Sequence, residues 1–74
     1  MSRDEVLKRI TVDPGICGGK PVVRGTRLPI TVILGGLAEG LSVDAMIDHY
    51  PNLTVDDIRA ALDYAAMATP PKPA

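Results

Sequence analysis

With 74 residues, a formal net charge of −1 and no Phe or Trp, the chain has room for one small domain with an aliphatic core. A domain of this length buries only about 60% of the surface its unfolded chain exposes, and Tyr50 and Tyr64 are its only large rings, so help with burial is expected. One cysteine excludes an internal disulfide and one histidine argues against a closed zinc site, which leaves oligomerisation, so a homodimer is expected.

In chain order, Arg9-Ile10-Thr11-Val12 alternates polar and apolar residues and stops at Asp13-Pro14-Gly15, the pattern of a short strand ended by a turn. The stretch Gly15-Ile16-Cys17-Gly18-Gly19 is too glycine-rich for regular structure. Pro21-Val22-Val23-Arg24 reads as a second strand, Gly25-Thr26 as a two-residue type II′ turn, and Arg27-Leu28 as a third short strand before Pro29. The hairpin thus spans 9–29, with Arg24 and Arg27 facing each other across its tip. They are either two solvated arginines or a like-charged pair that an anionic partner would relieve.

Three helices follow, at 30–40, 43–49 and 54–67. Ile30, Ile33, Leu34, Leu37 and Leu41 hold the spacing of one apolar face, and Gly40 stops the first helix. Ser42 caps the second, whose Val43, Met46 and Ile47 turn inward before Tyr50-Pro51-Asn52 breaks it. Thr54 and Asp57 form a capping-box pair that opens the third, with Val55, Ile58, Ala61, Leu62 and Ala65 on its inner face. The expected fold is mainly α: a short N-terminal β-hairpin, then a three-helix, homeodomain-like helix-turn-helix bundle. The domain occupies 1–69 and a proline-rich tail occupies 70–74. Gly35 and Gly36, costly inside a helix, suggest close approach of another helix or chain. Together with the apolar hairpin residues Ile10, Val12, Val22 and Val23, they are the expected dimer interface.

Charge is unevenly distributed. Residues 1–30 carry six cations against three anions, and residues 31–69 carry Arg59 alone against six anions, which points to two surfaces with different partners. No run approaches the roughly 20 apolar residues of a membrane span, and Met-Ser-Arg-Asp-Glu does not begin a signal peptide. A cytoplasmic protein with no membrane contact and a reduced Cys17 is expected.

Several chemistries fall away. Gly15 to Lys20 imitates a phosphate loop, but one spacer residue is missing, Pro21 stands where a magnesium-binding hydroxyl is needed, and a strand follows instead of a helix. Cys17 and His49 lack a third group to orient the histidine. Asp44, Asp56 and Asp57 occupy helix first turns, where the dipole favours acids without any metal. Neither an enzyme, a cofactor nor a metal is expected.

Taken together, Ile10-Thr11-Val12-Asp13-Pro14, Cys17 to Pro29 and Tyr50-Pro51-Asn52-Leu53-Thr54 resemble the DUF433 family of small bacterial and archaeal proteins, related to VapB-type antitoxins. The resemblance runs from about Arg9 to Ala66. It implies a helix-turn-helix fold and an antitoxin of a type II toxin–antitoxin pair. Such an antitoxin dimerises, binds and neutralises a PIN-like ribonuclease toxin, and represses its own operator DNA. The residues resist the DNA part of this. The helix that would enter the major groove begins Thr54-Val55-Asp56-Asp57 and carries Arg59 as its only cation, whereas affinity for DNA comes chiefly from phosphate attraction. DNA contact, if made, therefore falls to Arg9, Lys20, Arg24 and Arg27 on the hairpin. The alternative is a protein–protein adaptor on a helix-turn-helix fold that binds no DNA.

Overall fold

Ser2 begins a helix that the pattern of residues 9–12 concealed. The structure, a computed structural model, describes residues 1–68, so residue 69 and the expected tail 70–74 lie outside the described residues. Helix α1 spans Arg3–Arg9; the Ser2 hydroxyl accepts the Glu5 N–H at 3.3 Å, Asp4 and Glu5 sit in the first turn, and Lys8 and Arg9 in the last. Each charge matches the helix dipole at its own end. Seven residues are too few for an independent helix, so α1 depends on packing, and its Val6 is buried in the core. Arg9, expected to open a strand, is instead the last residue of this helix.

The sheet is small. Strand β1 is Ile10–Thr11 and strand β2 is Val22–Val23, paired antiparallel with Ile10 opposite Val23 and Thr11 opposite Val22. Between them a short 3-10 turn covers Cys17–Gly19. The hairpin tip differs from expectation by one residue. Val23 C=O accepts the Thr26 N–H at 3.0 Å and Gly25 has φ +81° at the third position, which is a type II turn centred on Arg24-Gly25. Arg24 therefore lies within the turn rather than beside it. Thr26 explains the shift, because its hydroxyl donates to Val23 C=O at 2.7 Å and accepts the Leu28 N–H at 3.1 Å, closing the turn around itself. Arg27-Leu28 forms no strand; one bridge from Val22 to Pro29 leads the chain into the helices.

Helices α2 (Ile30–Ala38), α3 (Val43–His49) and α4 (Val55–Ala68) follow. The mainly helical fold with a short hairpin is as expected, with four α-helices among the described residues rather than three. The local signals act as the sequence suggests. Ser42 Oγ accepts the Ala45 N–H at 3.1 Å. Thr54 and Asp57 exchange two 3.1 Å bonds, Asp57 N–H to Thr54 Oγ1 and Thr54 N–H to Asp57 Oδ2. Gly40, at φ +99°, ends α2 in a Schellman motif in which Gly40 N–H reaches Leu37 C=O and Leu41 N–H reaches Gly36 C=O. That motif ends the helix before Leu41, which is left 37% exposed.

The core draws one or more residues from every helix and from both strands: Val6, Ile10, Val23, Ile33, Met46 and Ile58 among others, with no polar side chain buried. The inner face of α4 is rotated from the expected one. Ile58, Ala60 and Ala61 are buried, while Val55 is 52% and Leu62 45% exposed. Both α1 and α2 pack on α4, and alanines let those backbones come near. No helix among the described residues is long and apolar enough to cross a membrane.

The expected dimer interface is corrected in most of its parts. Ile10, Val22 and Val23 are sealed inside the chain's own core and cannot face a partner, because α1 packs onto the hairpin that looked unpartnered without it. Gly36 does mark a close approach, but from within the chain: a Cβ there would lie 2.5 Å from Met46 Sδ and 3.3 Å from Leu41 Cδ1. Only Val12 and Gly35 remain exposed.

Candidate functional site

The four hairpin cations meet different fates. Arg9 bridges to the start of α4, with Nη1 3.2 Å from Asp57 Oδ1 and Nη2 3.5 Å from Asp56 Oδ2. It joins residues 48 positions apart and balances the acidic first turn that α4 presents. Arg24 turns back on the chain: its Nε donates to Lys8 C=O and its Nη2 to Leu7 C=O at 3.3 Å, while its own N–H donates to Arg9 C=O at 2.7 Å. It thereby satisfies carbonyls at the end of α1 that the helix itself leaves without donors. Lys20 and Arg27 are exposed and enter no ion pair among the described residues. Two of the four cations are thus committed to holding the fold.

Arg24→Ala is accordingly expected to destabilise the domain by about 1 kcal/mol through the lost charged hydrogen bonds. For a domain of this size that lowers Tm by about 4–8 °C. Amide exchange in α1 should accelerate before that in α4. An unchanged Tm would return Arg24 to a purely surface role.

Sequence-distant segments build one concavity. A cleft of about 300 Å³ lies between Thr26-Arg27-Leu28 and the turn His49-Tyr50-Pro51-Asn52-Leu53. That turn leaves α3 at Tyr50, whose N–H donates to Met46 C=O and whose C=O accepts the Leu53 N–H, both at 2.9 Å. Pro51 and Asn52 occupy its two central positions, where proline fixes φ and asparagine tolerates the bend. Leu53 then plunges into the core, pinning the turn from below. A second cleft, about 340 Å³, runs beside α2 over Val32, Gly35 and Gly36 to Glu39 and Leu41. His49 and Tyr50 line both clefts, so the two adjoin as one groove with a ridge at its middle. The rings of His49 and Tyr50 lie 6.3 Å apart and are tilted by 50°. Charge differs between the ends, with Arg27 in the first cleft and Glu39 in the second.

This groove suits the binding of apolar side chains flanked by charge. Its walls are Leu28, Leu53, Val32 and Leu41, and its floor at Gly35 is open, since a Cβ there would meet nothing within 4 Å. Sequence reading did not find it, although it singled out both segments that form the first cleft. His49 and Cys17, weighed and set aside as a nucleophile–base pair, are in different settings: Cys17 is exposed with its thiol 3.2 Å from Arg27 C=O, and His49 lines the groove. Among the described residues no three potential metal ligands cluster.

Comparison with known proteins bears on the same segments. Residues 10–65 match a family described as "Protein of unknown function (DUF433)", a span that takes in both segments of the first cleft and begins just after α1. The chain is 45% identical over 56 residues to "Uncharacterized protein y4eO" of Sinorhizobium fredii, covering 76% of this chain and 25% of that protein. It is also similar to the crystal structure of a DUF433 member protein from Anabaena variabilis, with a TM-score of 0.78 and 30% identity over 86% of this chain and 63% of that one. The chain therefore spans a quarter of the curated relative and under two thirds of the solved one. On a match of that extent, with the hairpin-and-helix architecture beneath it, the chain belongs to the DUF433 family.

Proposed function

We propose that the chain is a protein-binding domain of the antitoxin kind, which acts in the cytoplasm and holds a segment of a PIN-like ribonuclease toxin in the groove at His49-Tyr50. The observation that carries this reading is the convergence of two sequence-distant motif segments, Thr26–Leu28 and His49–Leu53, on one open apolar cleft. Binding needs an anchor pocket rimmed by charge, and a groove with Arg27 in one cleft and Glu39 in the other has both. In this reading the domain performs no chemistry of its own.

The adaptor form of the reading, without DNA, gains support from the same side chains. Arg9 and Arg24 are engaged within the chain, which leaves Lys20 and Arg27 as free hairpin cations, and α4 meets solvent with Val55 and Asp56 in its first turn. Two free charges per chain give a shallow salt dependence at best. Autorepression would then rest on an accessory contact.

Gene context supplies the test. The gene beside this one is expected to encode a PIN-like nuclease that arrests growth when expressed, and co-expression of this chain is expected to relieve the arrest. Tyr50→Ala, at a half-buried ridge, should remove relief while leaving the helical circular dichroism intact. Relief that persists in Tyr50→Ala, with binding unchanged in a pull-down of the purified pair, would displace the groove from this role. A toxin held equally well with Lys20 and Arg27 changed to alanine would remove the basic hairpin from it too.

A further inference from the structure

We infer that the outer face of α4 is a self-association surface on which two copies of this chain pack antiparallel. Val55, Arg59, Leu62 and Ala66 follow the i, i+4, i+7, i+11 spacing of a single helix stripe. None of them is among the buried core residues, and Val55 and Leu62 are among the most exposed large apolar side chains of the domain. The helices that pack on α4 use its other side, where Ile58, Ala60 and Ala61 lie.

Charge selects the occupant. Arg59 is the only cation of α4 and enters no ion pair among the described residues. Asp63 is 43% exposed and, among the described residues, its ion-pair partner is the terminal amine of Met1, at 3.9 Å. Place a two-fold axis midway between Arg59 and Leu62, perpendicular to the plane of the two helices. Val55 then meets Ala66 of the other copy and Leu62 meets the aliphatic stem of Arg59. Arg59 and Asp63 lie on the same edge of the stripe, so each guanidinium comes beside the other copy's Asp63 carboxylate. The patch is complementary to itself, as an isologous dimer requires. Asp56, at the far end of the same edge, is already paired with Arg9 and adds little repulsion.

One helix against one helix falls short of the roughly 800 Å² per partner of a standard interface, so the dimer is weak. This differs from the hairpin interface first expected from the sequence, and it is independent of the groove at Tyr50. Sedimentation equilibrium on the full chain, from about 10 μM to 1 mM, tests it. The mass is expected to rise from 7.8 kDa toward twice that value. Arg59→Asp and Asp63→Arg should each weaken association at least about tenfold by setting like charges together. The double variant, carrying both changes, should return to within about threefold of the wild type. Leu62→Glu, at an exposed position, should stay monomeric with unchanged circular dichroism, which keeps the test open if a charge variant folds poorly. A mass of 7.8 kDa at every concentration overturns the inference. So does a dimer indifferent to the single changes, or a double variant that fails to regain it.

Discussion

Gly36→Val is expected to destabilise the domain and lower its Tm, while Gly35→Ala, one residue earlier, is expected to stabilise it. Both glycines sit inside α2, and helix propensity alone would favour replacing either one. Their surroundings separate them. A Cβ on Gly36 falls 2.5 Å from Met46 Sδ and 3.2 Å from its Cε, so the buried Met46 thioether must shift, toward the cleft beside α2 that it lines. Overpacking of this kind costs about 1–3 kcal/mol. A domain of this length has only about 4–11 kcal/mol in total. Tm should fall by roughly 5–20 °C for Gly36→Val. Gly35 has open space, and Gly35→Ala should gain up to about 1 kcal/mol. Thermal melts of the two variants decide the matter, and equal effects would show that Met46 does not press on α2.

The second large effect is expected on α4. Ile58→Ala should cost about 2–4 kcal/mol, because Ile58 is 1% exposed and removal of its buried methyl and methylene groups leaves a cavity that α1 and α2 cannot both close. Leu62→Ala, four residues on and equally hydrophobic, should cost less than about 0.5 kcal/mol in dilute solution. Urea titrations of both variants measure the difference. Similar losses at the two positions would mean that the helix is rotated back toward the face its hydrophobic spacing suggests.

That rotation shows where sequence reading stops. Hydrophobic spacing sets Val55 and Leu62 beside Ile58 and Ala61 on the inner face, yet burial on α4 follows how closely a backbone can approach, and Ala60 is buried while Val55 and Leu62 are not. Signals carried within three or four residues were legible: the Ser42 cap, the Thr54–Asp57 pair and the Gly40 stop each appear where their residues place them. Helix α1 was missed because seven residues carry too little periodicity. Its caps, Ser2 with Glu5 and Lys8 with Arg9, were present all along. The groove was illegible for a different reason. Thr26–Leu28 and His49–Leu53 are joined only through the packed helices between them, and no local pattern encodes that meeting.

The packing of α1 on α4 has a consequence for how such a unit is used. Arg3 and Leu7 share the walls of one cleft of about 220 Å³ with Tyr64, Met67 and Ala68, so the start of α1 lies beside the end of α4. A unit whose first helix starts where its last helix ends is of the kind that tolerates insertion into a surface loop of a host protein and circular permutation across that junction.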